Sequence, residues 1–429
     1  MKNLLTIAHF NMLKLRPYQE EISAKAVEIL KSKKIVYLAM EVRTGKTVTA
    51  LQTANDYGAK KVLFLTKLKA IKSIQDDYNA IQPNFEIRII NNESLHKVTD
   101  NDFDLLISDE HHRVSAFAKP NKTAKAIKQR FGHLPMIFLS GTPAIESGSQ
   151  WYHSFWVSNY SPFNFAPNFY QFAKNFVNVR LKYVGKMQVR DYSDSIDTKI
   201  MPIIEPYILR YTQRQAGFTA EISEQILYCD IPDYLQQLRN KLLKDNIIEG
   251  KAGVILADSN VKLLNKIHQI ENGSVITEEE KAVILSDYKA RFIADYYKGK
   301  KIAIFYYFKA EYYILNSVFG DLLTNDLETF KTSSKCVALQ QVSGSEGLSL
   351  KEAEFLVYYN FGYSGRQYAQ GRDRMTTIDR DQNNVVIVLG KDGINEKIYK
   401  VVKNKKKYNE KMFAKDYRER ITNQDYSRP

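Results

Sequence analysis

The stretch Met40-Glu41-Val42-Arg43-Thr44-Gly45-Lys46-Thr47 lies between an apolar run at 35–39 and a run with helical character at 48–55. The order of strand, tight turn ending in Gly-Lys-Thr, and helix is typical of a phosphate-binding loop, in which backbone N–H groups surround the phosphates. In such a loop Thr44 and Gly45 form the turn, Lys46 neutralises phosphate charge and the Thr47 hydroxyl binds Mg²⁺. Met40 stands where the usual pattern has its first glycine, so the stretch alone fits both a nucleotide site and a plain loop.

Length and charge limit what kind of protein this is. A chain of 429 residues predicts roughly two or three domains. The net charge of +14 indicates a polyanionic partner, most simply nucleic acid, although a surface charge that serves only solubility also fits. The longest apolar runs, such as 302–308, are too short to span a bilayer, and residues 1–13 lack a small-residue cleavage site. Two cysteines, Cys229 and Cys336, indicate a reducing compartment. We therefore expect a cytoplasmic protein with no membrane partner.

Residues on both sides of the loop add candidate contacts. Gln19 opens a predicted helix, and its amide can read the edge of adenine through its donor and acceptor. After the loop, strand-like runs alternate with helical patterns, which predicts a parallel, doubly wound sheet. Thr66 and Lys67 follow the run at 61–65, at a carboxyl end where such sheets bind ligands. A contact to a nucleic-acid phosphate and a solvated lysine cluster both fit these two residues.

An apolar strand at 103–107 delivers Asp109 and Glu110 together at its end. One carboxylate can hold Mg²⁺ through water while the other polarises the water that attacks the γ-phosphate. A strand that ends in a solvated acidic turn is the alternative, but the position of the pair after a phosphate loop favours hydrolysis. The neighbouring His111 and His112 point apart on a strand end, with no third ligand nearby in the sequence, which disfavours a zinc site.

A third buried strand, at 136–139, ends in Ser140-Gly141-Thr142-Pro143. Ser140 and Thr142 could hydrogen-bond the carboxylates of Asp109 and Glu110 and transmit the state of the γ-phosphate. Taken alone, the tetrapeptide is an ordinary turn. As the third strand end with polar residues in this order, it favours a role in transmitting the state of the γ-phosphate.

The motifs Arg-Pro-Tyr-Gln, Gly-Lys-Thr, Asp-Glu-His-His and Ser-Gly-Thr-Pro follow one another at 16–19, 45–47, 109–112 and 140–143. This order resembles the first RecA-like lobe of superfamily 2 helicases and translocases. Arg43 departs from the family, which has a glycine there. An insertion after Thr142 and the stretch Pro206-Tyr207-Ile208-Leu209-Arg210 are similar to the Swi/Snf branch. That branch is implied to translocate on double-stranded DNA.

The second half resembles the second lobe of the same family, which has no phosphate loop of its own. Its Ser-Gly-Ser-Glu-Gly stretch at 343–347 resembles the fifth motif. Small residues there let the backbone approach a DNA phosphate and the nucleotide, which implicates Ser343, Gly344 and Gly347.

The stretch Tyr368-Ala369-Gln370-Gly371-Arg372-Asp373-Arg374 resembles the sixth motif. The resemblance implies that an arginine stabilises the transferring phosphoryl group. The family spaces its two arginines three residues apart, whereas Arg372 and Arg374 are two apart. If Gln370 matches the family glutamine, Arg374 is the first candidate and Arg372 the second.

The regions between the motifs have simpler interpretations. Eleven aromatic residues at 151–176 predict a packed helical insertion, with a base-stacking surface as the alternative. Residues 221–284 read mainly as helices. The tail has nine Lys/Arg against four Asp/Glu, which fits a basic arm on DNA or a solvated helix. The predicted domains are a first RecA-like lobe at 1–150, an aromatic helical insertion at 151–220, a helical connector at 221–284, a second RecA-like lobe at 285–402 and the tail at 403–429.

These observations predict an α/β protein with two RecA-like, P-loop NTPase lobes, parallel sheets and helical insertions. The resemblance implies a DNA-dependent ATP hydrolase that uses ATP and Mg²⁺, acts as a monomer, and moves along double-stranded or branched DNA. Its loop at 42–47 and its sixth motif look most like phage-encoded Swi/Snf-type DNA helicases of the bacterial cytoplasm. An RNA or single-stranded DNA helicase is one alternative. A nucleotide-gated DNA-binding scaffold with little hydrolysis is another.

Overall fold

The strand that precedes the phosphate loop, β1 (Ile35–Met40), lies inside a parallel sheet. Its side chains alternate between two hydrophobic clusters: Ile35 and Tyr37 contribute to one, and Val36 and Leu38 to the other. A strand that is apolar on both faces must be covered on both sides. That arrangement is typical of α/β proteins, in which helices cover both faces of the sheet.

The computed structural model describes residues 14–144, 147–184, 187–219, 221–344, 349–377, 380–404 and 412. The chain divides into two units between Gly217 and Phe218. In the described part, the helices of the first unit are α1 (Pro17–Lys33), α2 (Lys46–Tyr57), α3 (Ile71–Ile81), α4 (Lys122–Phe131), α5 (Gln150–Trp156), α6 (Phe169–Phe176) and α7 (Asp197–Ile204). Its further strands are β2 (Lys61–Thr66), β3 (Glu86–Asn91), β4 (Leu105–Ser108), β5 (Met136–Leu139), β6 (Arg180–Val184), β7 (Met187–Asp191) and β8 (Ile208–Tyr211).

The main sheet of the first unit has the order β3-β2-β4-β5-β1-β8, and its paired strands are all parallel. Strand β5 lies between β1 and β4: Leu38 of β1 pairs with Leu139, and Ser108 of β4 pairs with Phe138. The carboxyl ends of β1, β5 and β4 therefore meet at one edge of the sheet. The phosphate loop, the Ser-Gly-Thr-Pro turn and the acidic pair all begin at this edge.

Most of the aromatic stretch packs as core, although Tyr160, Phe165 and Tyr170 are 40%, 58% and 45% exposed. Trp151, Tyr152 and Phe155 of α5 and Phe169 and Phe172 of α6 are 5% exposed or less. They belong to the hydrophobic cluster that covers one face of β1. This burial supports the interpretation of residues 151–176 as a packed insertion, because rings at this depth offer no face to a nucleic-acid base.

The second unit has helices and strands in close alternation. In the described part, its strands are β9 (Glu221–Cys229), β10 (Ile247–Gly250), β11 (Gly253–Leu256), β12 (Ser274–Ile276), β13 (Ala282–Ile284), β14 (Ile302–Tyr306), β15 (Leu323–Thr324), β16 (Cys336–Gln340), β17 (Phe355–Tyr358) and β18 (Gln382–Gly390). Its helices are α8 (Asp233–Asp245), α9 (Asn260–Glu271), α10 (Tyr288–Tyr296), α11 (Lys309–Phe319), α12 (Leu327–Thr332), α13 (Gln341–Gly344), α14 (Gly365–Arg372) and α15 (Ile394–Val402).

The main sheet of this unit has the order β15-β16-β14-β17-β18-β9, again with parallel pairs. Together the two parallel six-stranded sheets and their helices confirm the predicted fold class, an α/β chain with two RecA-like lobes. No helix of the described ranges is both long and apolar enough to cross a membrane.

Two strands lie in segments for which the sequence predicted helices. Strand β8, which lies in the predicted insertion, is an edge strand of the first sheet beside β1. Strand β9, in the segment predicted to be mainly helical, pairs with β18 from Glu221–Gln382 to Cys229–Gly390. The reason is tertiary: both strands have half-exposed side chains, and their partners lie far along the chain.

Candidate nucleotide-binding site

The turn between β1 and α2 is built around Gly45. Gly45 has φ 77°, in the left-handed region that glycine adopts without strain. A Cβ at this position would lie 2.1 Å from Nε2 of Gln19, so a larger residue would displace that side chain. The Thr44 hydroxyl donates to the Glu41 carbonyl at 2.7 Å and closes the turn. Arg43 also has a positive φ, 65°, a backbone conformation that glycine adopts more readily than arginine.

Helix α1 supports the loop through two neighbouring side chains. Gln19 is 5% exposed. Its Oε1 accepts from the Arg16 N–H at 2.9 Å, and its Nε2 donates to the Gly45 carbonyl at 3.5 Å. The Tyr18 hydroxyl donates to the Thr44 carbonyl at 3.0 Å. Gln19 therefore lies against the phosphate loop, and its predicted contact with adenine stays a prediction.

The residues after β8 also hydrogen-bond to the phosphate loop. The sequence patterns assigned these residues no role. The Gln213 side chain donates to the Val42 carbonyl at 3.0 Å, and its backbone N–H donates to Oε2 of Glu41 at 2.7 Å. The Glu41 N–H donates to the Tyr211 carbonyl at 2.9 Å. Because β8 lies next to β1, the residues after both strands meet. The Pro206-to-Arg210 motif identifies β8, but the sequence does not show that β8 lies beside β1.

Lys46 and Thr47 are the first two residues of α2. A helix leaves its first N–H groups without intrahelical partners, and its positive end favours anions, so this terminus suits phosphate. Both side chains are partly buried. The Thr47 hydroxyl and the Asp109 carboxylate are hard oxygen donors of the kind that Mg²⁺ prefers, so the residues fit a magnesium nucleotide.

Asp109 follows β4 and is held by a neighbouring strand. Its Oδ2 accepts from the Thr66 hydroxyl at 2.8 Å. Burial raises the pKa of Asp109 above its ordinary value, and the charge of Glu110 raises it further, whereas Lys46 and the Thr66 hydrogen bond lower it. A cation beside Asp109 would favour its ionised form.

A chain of contacts runs from Glu110 to the turn after β5. Glu110 has φ 49°, an unusual value for a non-glycine residue. Its Oε2 lies 3.2 Å from Nδ1 of His112. The same Nδ1 is hydrogen-bonded to the Ser140 hydroxyl at 2.8 Å, and that hydroxyl accepts from the Thr142 N–H at 3.1 Å. The predicted link between Ser140 and the acidic pair thus passes through His112, which the motif reading did not assign to the site.

The turn after β5 also lies close to the phosphate loop. A Cβ on Gly141 would meet the Met40 carbonyl at 3.4 Å and the Val42 backbone nitrogen at 3.6 Å. Met40, in the position of the missing glycine, is a fully buried residue at the end of β1. The hydroxyl of Thr142 is buried and has no hydrogen-bond partner among the described residues. An unsatisfied buried hydroxyl at this place suits a ligand oxygen.

His111 has a structural role. It stacks on Phe138 with ring centroids 3.7 Å apart. Its two ring nitrogens are hydrogen-bonded to the Ser108 hydroxyl at 2.9 Å and to the Ser154 carbonyl at 2.7 Å. Burial lowers the pKa of His111 to about 3, against a smaller opposing effect of the Ser154 hydrogen bond. The ring is therefore neutral and ties α5 to the sheet.

The predicted nucleic-acid contacts after β2 separate into two cases. Thr66 is fully buried, and its hydroxyl donates to Asp109 and so supports the acidic pair; its predicted contact with a DNA phosphate stays a prediction. Lys67 is partly exposed at the same edge of the sheet. It remains a predicted phosphate contact.

In the second unit, the sixth motif lies on α14 and the turn after it. Nη1 of Arg372 donates to Oε2 of Glu224 at 2.9 Å. Nε of Arg374 donates to the Gln370 carbonyl at 3.1 Å, and both Arg374 and Gln370 are 7% exposed or less. The motif is thus anchored within its own unit through Glu224 of β9, a residue that the sequence did not single out.

The residues of the fifth motif are only partly within the described ranges. Ser343 and Gly344 belong to the short helix α13, directly after β16. Gly347 lies outside the described residues. The predicted backbone approach of this motif to DNA stays a prediction.

Comparison with protein families finds a match to the family described as "Type III restriction enzyme, res subunit", over residues 12–95. The matched segment contains Gln19, the phosphate loop and Thr66. It supports the resemblance of this part of the chain to superfamily 2 motors. Comparison with curated proteins finds no match.

Solved structures with similar folds include the SWI2/SNF2 ATPase core of Sulfolobus solfataricus. Its complex with double-stranded DNA is 16% identical in sequence, with a TM-score of 0.42 over 94% of this chain and 93% of that chain. The core domain alone is 17% identical, with a TM-score of 0.42 over 93% and 90% of the two chains. The Hef helicase domain of Pyrococcus furiosus is 15% identical, with a TM-score of 0.44 over 90% and 97%. At these scores the strand order, and not the similarity, carries the fold assignment.

Proposed function

We propose that this chain is an ATP hydrolase that moves along DNA, and that the first unit holds the nucleotide. The observation that carries the proposal is the meeting of three strand ends. Gly45 with Lys46 follows β1, Ser140 with Thr142 follows β5, and the acidic pair follows β4 at the same edge of the sheet. Ligands bind at such an edge in parallel sheets.

Each residue of this edge has a chemical role in the proposal. The N–H groups at the start of α2 and the Lys46 ammonium bind the phosphates, with Thr47 and Asp109 holding Mg²⁺. The cation neutralises charge on the phosphates. Glu110 orients the attacking water and accepts its proton. His112 passes the state of Glu110 to Ser140, because its Nδ1 lies within reach of both side chains.

The second unit is inferred to supply the arginine that stabilises the transferring phosphoryl group. Arg374 is the first candidate and Arg372 the second, with Gln370 as the family glutamine. Ser343, Gly344 and Gly347 of the fifth motif, together with Lys67 of the first unit, are the proposed DNA contacts. The net charge of +14 supports a nucleic-acid partner. The resemblance implies a phage-encoded enzyme that acts as a monomer on double-stranded or branched DNA.

The test is an ATPase assay with duplex DNA, single-stranded DNA and RNA as separate activators. The proposal expects the strongest stimulation by duplex DNA. Equal or stronger stimulation by RNA or by single-stranded DNA would contradict a duplex DNA motor. The chain would then be an RNA helicase or a single-stranded DNA helicase. Nucleotide-dependent DNA binding without turnover would favour a scaffold.

A variant of the phosphate loop tests the site itself. Lys46→Ala removes the charge that meets the phosphates and should abolish turnover at saturating DNA. Lys31→Ala, on the exposed part of α1, removes the same charge from the surface and should leave turnover unchanged. Full activity of Lys46→Ala would refute the assignment of the site.

A further inference from the structure

A pocket of about 360 Å³ lies at the carboxyl edge of the first sheet. It is lined by Asn92 and Glu93, which follow β3, by Arg113 and Val114, which follow β4, and by Thr123 of α4. Strand β2 lies between β3 and β4, so the pocket is located beside the end of β2, on the far side of β4 from the phosphate loop. Its volume is within the roughly 300–1,000 Å³ that is typical of small-molecule sites. The proposed nucleotide site uses none of its lining residues, so the pocket can take a second ligand.

The wall that carries Arg113 is fixed by hydrogen bonds. The Arg113 N–H donates to the Glu110 carbonyl at 2.9 Å, and Nδ2 of Asn121 donates to the Arg113 carbonyl at 2.7 Å. Asn121 also caps α4, because its side-chain oxygen accepts from the Ala124 N–H at 2.8 Å. This wall therefore begins three residues after the carboxylate that is assigned to the attacking water.

Two opposite charges face each other in the pocket without a hydrogen bond between them. Nη1 of Arg113 lies 3.9 Å from Oε1 of Glu93, and the two side chains are 41% and 69% exposed. A charge-assisted N–H···O bond is about 2.7–2.9 Å long. At the longer distance the guanidinium makes no hydrogen bond to Glu93. It keeps its donors, and the carboxylate keeps acceptor capacity, for a ligand that contacts both groups.

The opposite wall supplies acceptors. Oε2 of Glu93 accepts from Nδ2 of Asn91 at 3.0 Å. Hydrogen bonds from its own backbone N–H and from Asn91 lower the pKa of Glu93, so this carboxylate is ionised at neutral pH. The Asn92 side chain donates through Nδ2 to the Thr66 carbonyl at 3.1 Å, and its Oδ1 is buried without a hydrogen-bond partner among the described residues. The pocket thus combines acceptors on one wall with the donors of Arg113 on the other.

This mixture of donors and acceptors indicates the class of ligand. A phosphodiester only accepts hydrogen bonds, and the ionised Glu93 would repel it. The edge of a nucleobase has donors beside acceptors, which matches a carboxylate next to a guanidinium. Lys67, the proposed phosphate contact at the end of β2, is close enough for its charge to act on Glu93. A peptide group has a similar mixture, but it brings no negative charge to Lys67, so the surroundings favour nucleic acid.

We propose that this pocket binds a nucleobase of a bound strand, with Glu93 accepting from the base and Arg113 donating to it. A base enters a pocket only when it is out of the base stack, so the base is an unpaired one. The inference rests on the proposed DNA motor, and it makes an unpaired base part of the substrate.

The test measures the affinity of the full chain, without ATP, for two fluorescent single strands of DNA with the same length. One strand has a mixed sequence, and the other is abasic throughout. Because both carry the same phosphates, the ratio of their affinities reports the contribution of the bases. The unaltered chain should bind the mixed strand about tenfold more tightly, and Glu93→Gln and Arg113→Ala should each lower the ratio to about twofold. Arg291→Ala removes an exposed arginine of α10 that pairs with Asp287, and it should leave the ratio unchanged.

The outcomes separate the pocket from the proposed function. If the unaltered chain binds both strands and the ratio is the same in Glu93→Gln and Arg113→Ala, the pocket holds no base and the motor stands. If the unaltered chain binds no nucleic acid, both proposals fall. Should Arg113→Ala fail to fold, Glu93→Gln decides alone: a lowered ratio supports the pocket, and an unchanged ratio overturns it.

A free nucleotide is the other possible source of a base. The chain could bind a fluorescent deoxynucleoside monophosphate that Glu93→Gln does not bind, while the ratio of the two strands stays the same in both proteins. That result would assign the pocket to a free nucleotide and overturn the contact with a strand.

Discussion

Oε2 of Glu224 accepts a hydrogen bond from Nη1 of Arg372 at 2.9 Å, and the same oxygen accepts from the Tyr368 hydroxyl at 2.5 Å. The other carboxylate oxygen accepts from Tyr399. One partly buried carboxylate on β9 therefore joins α14 and α15 to the sheet of the second unit. The Arg372 guanidinium has a carboxylate partner in Glu224. This contact favours a structural role for Arg372, and Arg374 stays the first candidate for the phosphoryl group because of its spacing from Gln370.

Truncation of the two arginines should therefore have different effects. Arg372→Ala leaves the Glu224 carboxylate without its cationic partner and should lower the free energy of unfolding by about 2–3 kcal/mol. Arg374→Ala should lower ATP turnover by roughly 10³-fold while ATP binding persists. Denaturant unfolding and DNA-stimulated phosphate release measure the two effects. If Arg372→Ala kept the stability of the unaltered chain but lost ATP turnover, the roles assigned to Arg372 and Arg374 would be reversed.

The Glu224 contact also has a pH dependence. Burial alone raises the pKa of Glu224, but the hydrogen bonds from Tyr368, Tyr399 and Arg372 outweigh it, so the pKa lies below the ordinary value of 4.5. A carboxylate with a lowered pKa stabilises the fold above about pH 4.5, and this contribution is lost as the pH falls through the folded-state pKa. The difference in unfolding free energy between the unaltered chain and Glu224→Gln should thus be largest near pH 7 and shrink below about pH 4. A difference that grows on acidification would contradict the assignment.

The support of the phosphate loop by Gln213 gives a third prediction. Gln213→Ala removes the hydrogen bond to the Val42 carbonyl and should loosen the loop, because that carbonyl loses its side-chain partner. We expect a KM for ATP raised about threefold to tenfold, consistent with about 1 kcal/mol for one hydrogen bond. Gln75→Ala removes a partly exposed glutamine of α3, away from the phosphate loop; it is the matched control and should leave the KM unchanged. Equal KM values for both variants would mean that the loop does not depend on this contact.

Buried histidines predict a further loss of stability in acid. Burial lowers the pKa of His111 to about 3, and burial also lowers that of His268 to about 3. Below about pH 6.5 the unfolded chain protonates these rings while the folded chain does not, so stability is present above that pH and falls below it. Each ring contributes a slope of about 1.4 kcal/mol per pH unit. His111→Gln should flatten the unfolding free energy of the first unit between about pH 6 and pH 4. Curves that run parallel for the two proteins would contradict this.

Most features that depend on one strand and the residues next to it could be predicted from the sequence. The apolar runs at 136–139 and 355–360 were recognisable because central strands of a parallel sheet are apolar on both faces. The phosphate loop and the acidic pair were recognisable because their chemistry is carried by adjacent residues. Strand β9 was not recognisable from the sequence. Its alternating polar residues are those of an edge strand, and its partner β18 lies about 160 positions later.

Contacts that join distant parts of the chain could not be read either. Gln213 and Val42 are 171 positions apart in sequence, and they meet only because β8 and β1 are neighbouring strands. Glu224 of β9 meets Arg372 of α14 across 148 positions of sequence. His112 was considered only as a metal ligand, because the position of Ser140 beside it depends on the neighbouring strands β4 and β5.

The central claim is that Glu110 activates water at the edge of the first sheet. The direct measurement is the rate of phosphate release from ATP by Glu110→Gln with saturating duplex DNA, alongside its affinity for ATP. Glutamine keeps the size of the side chain but cannot accept the proton, so turnover should fall by about 10²- to 10⁴-fold while ATP binding stays within about threefold. Turnover equal to that of the unaltered chain would contradict the claim.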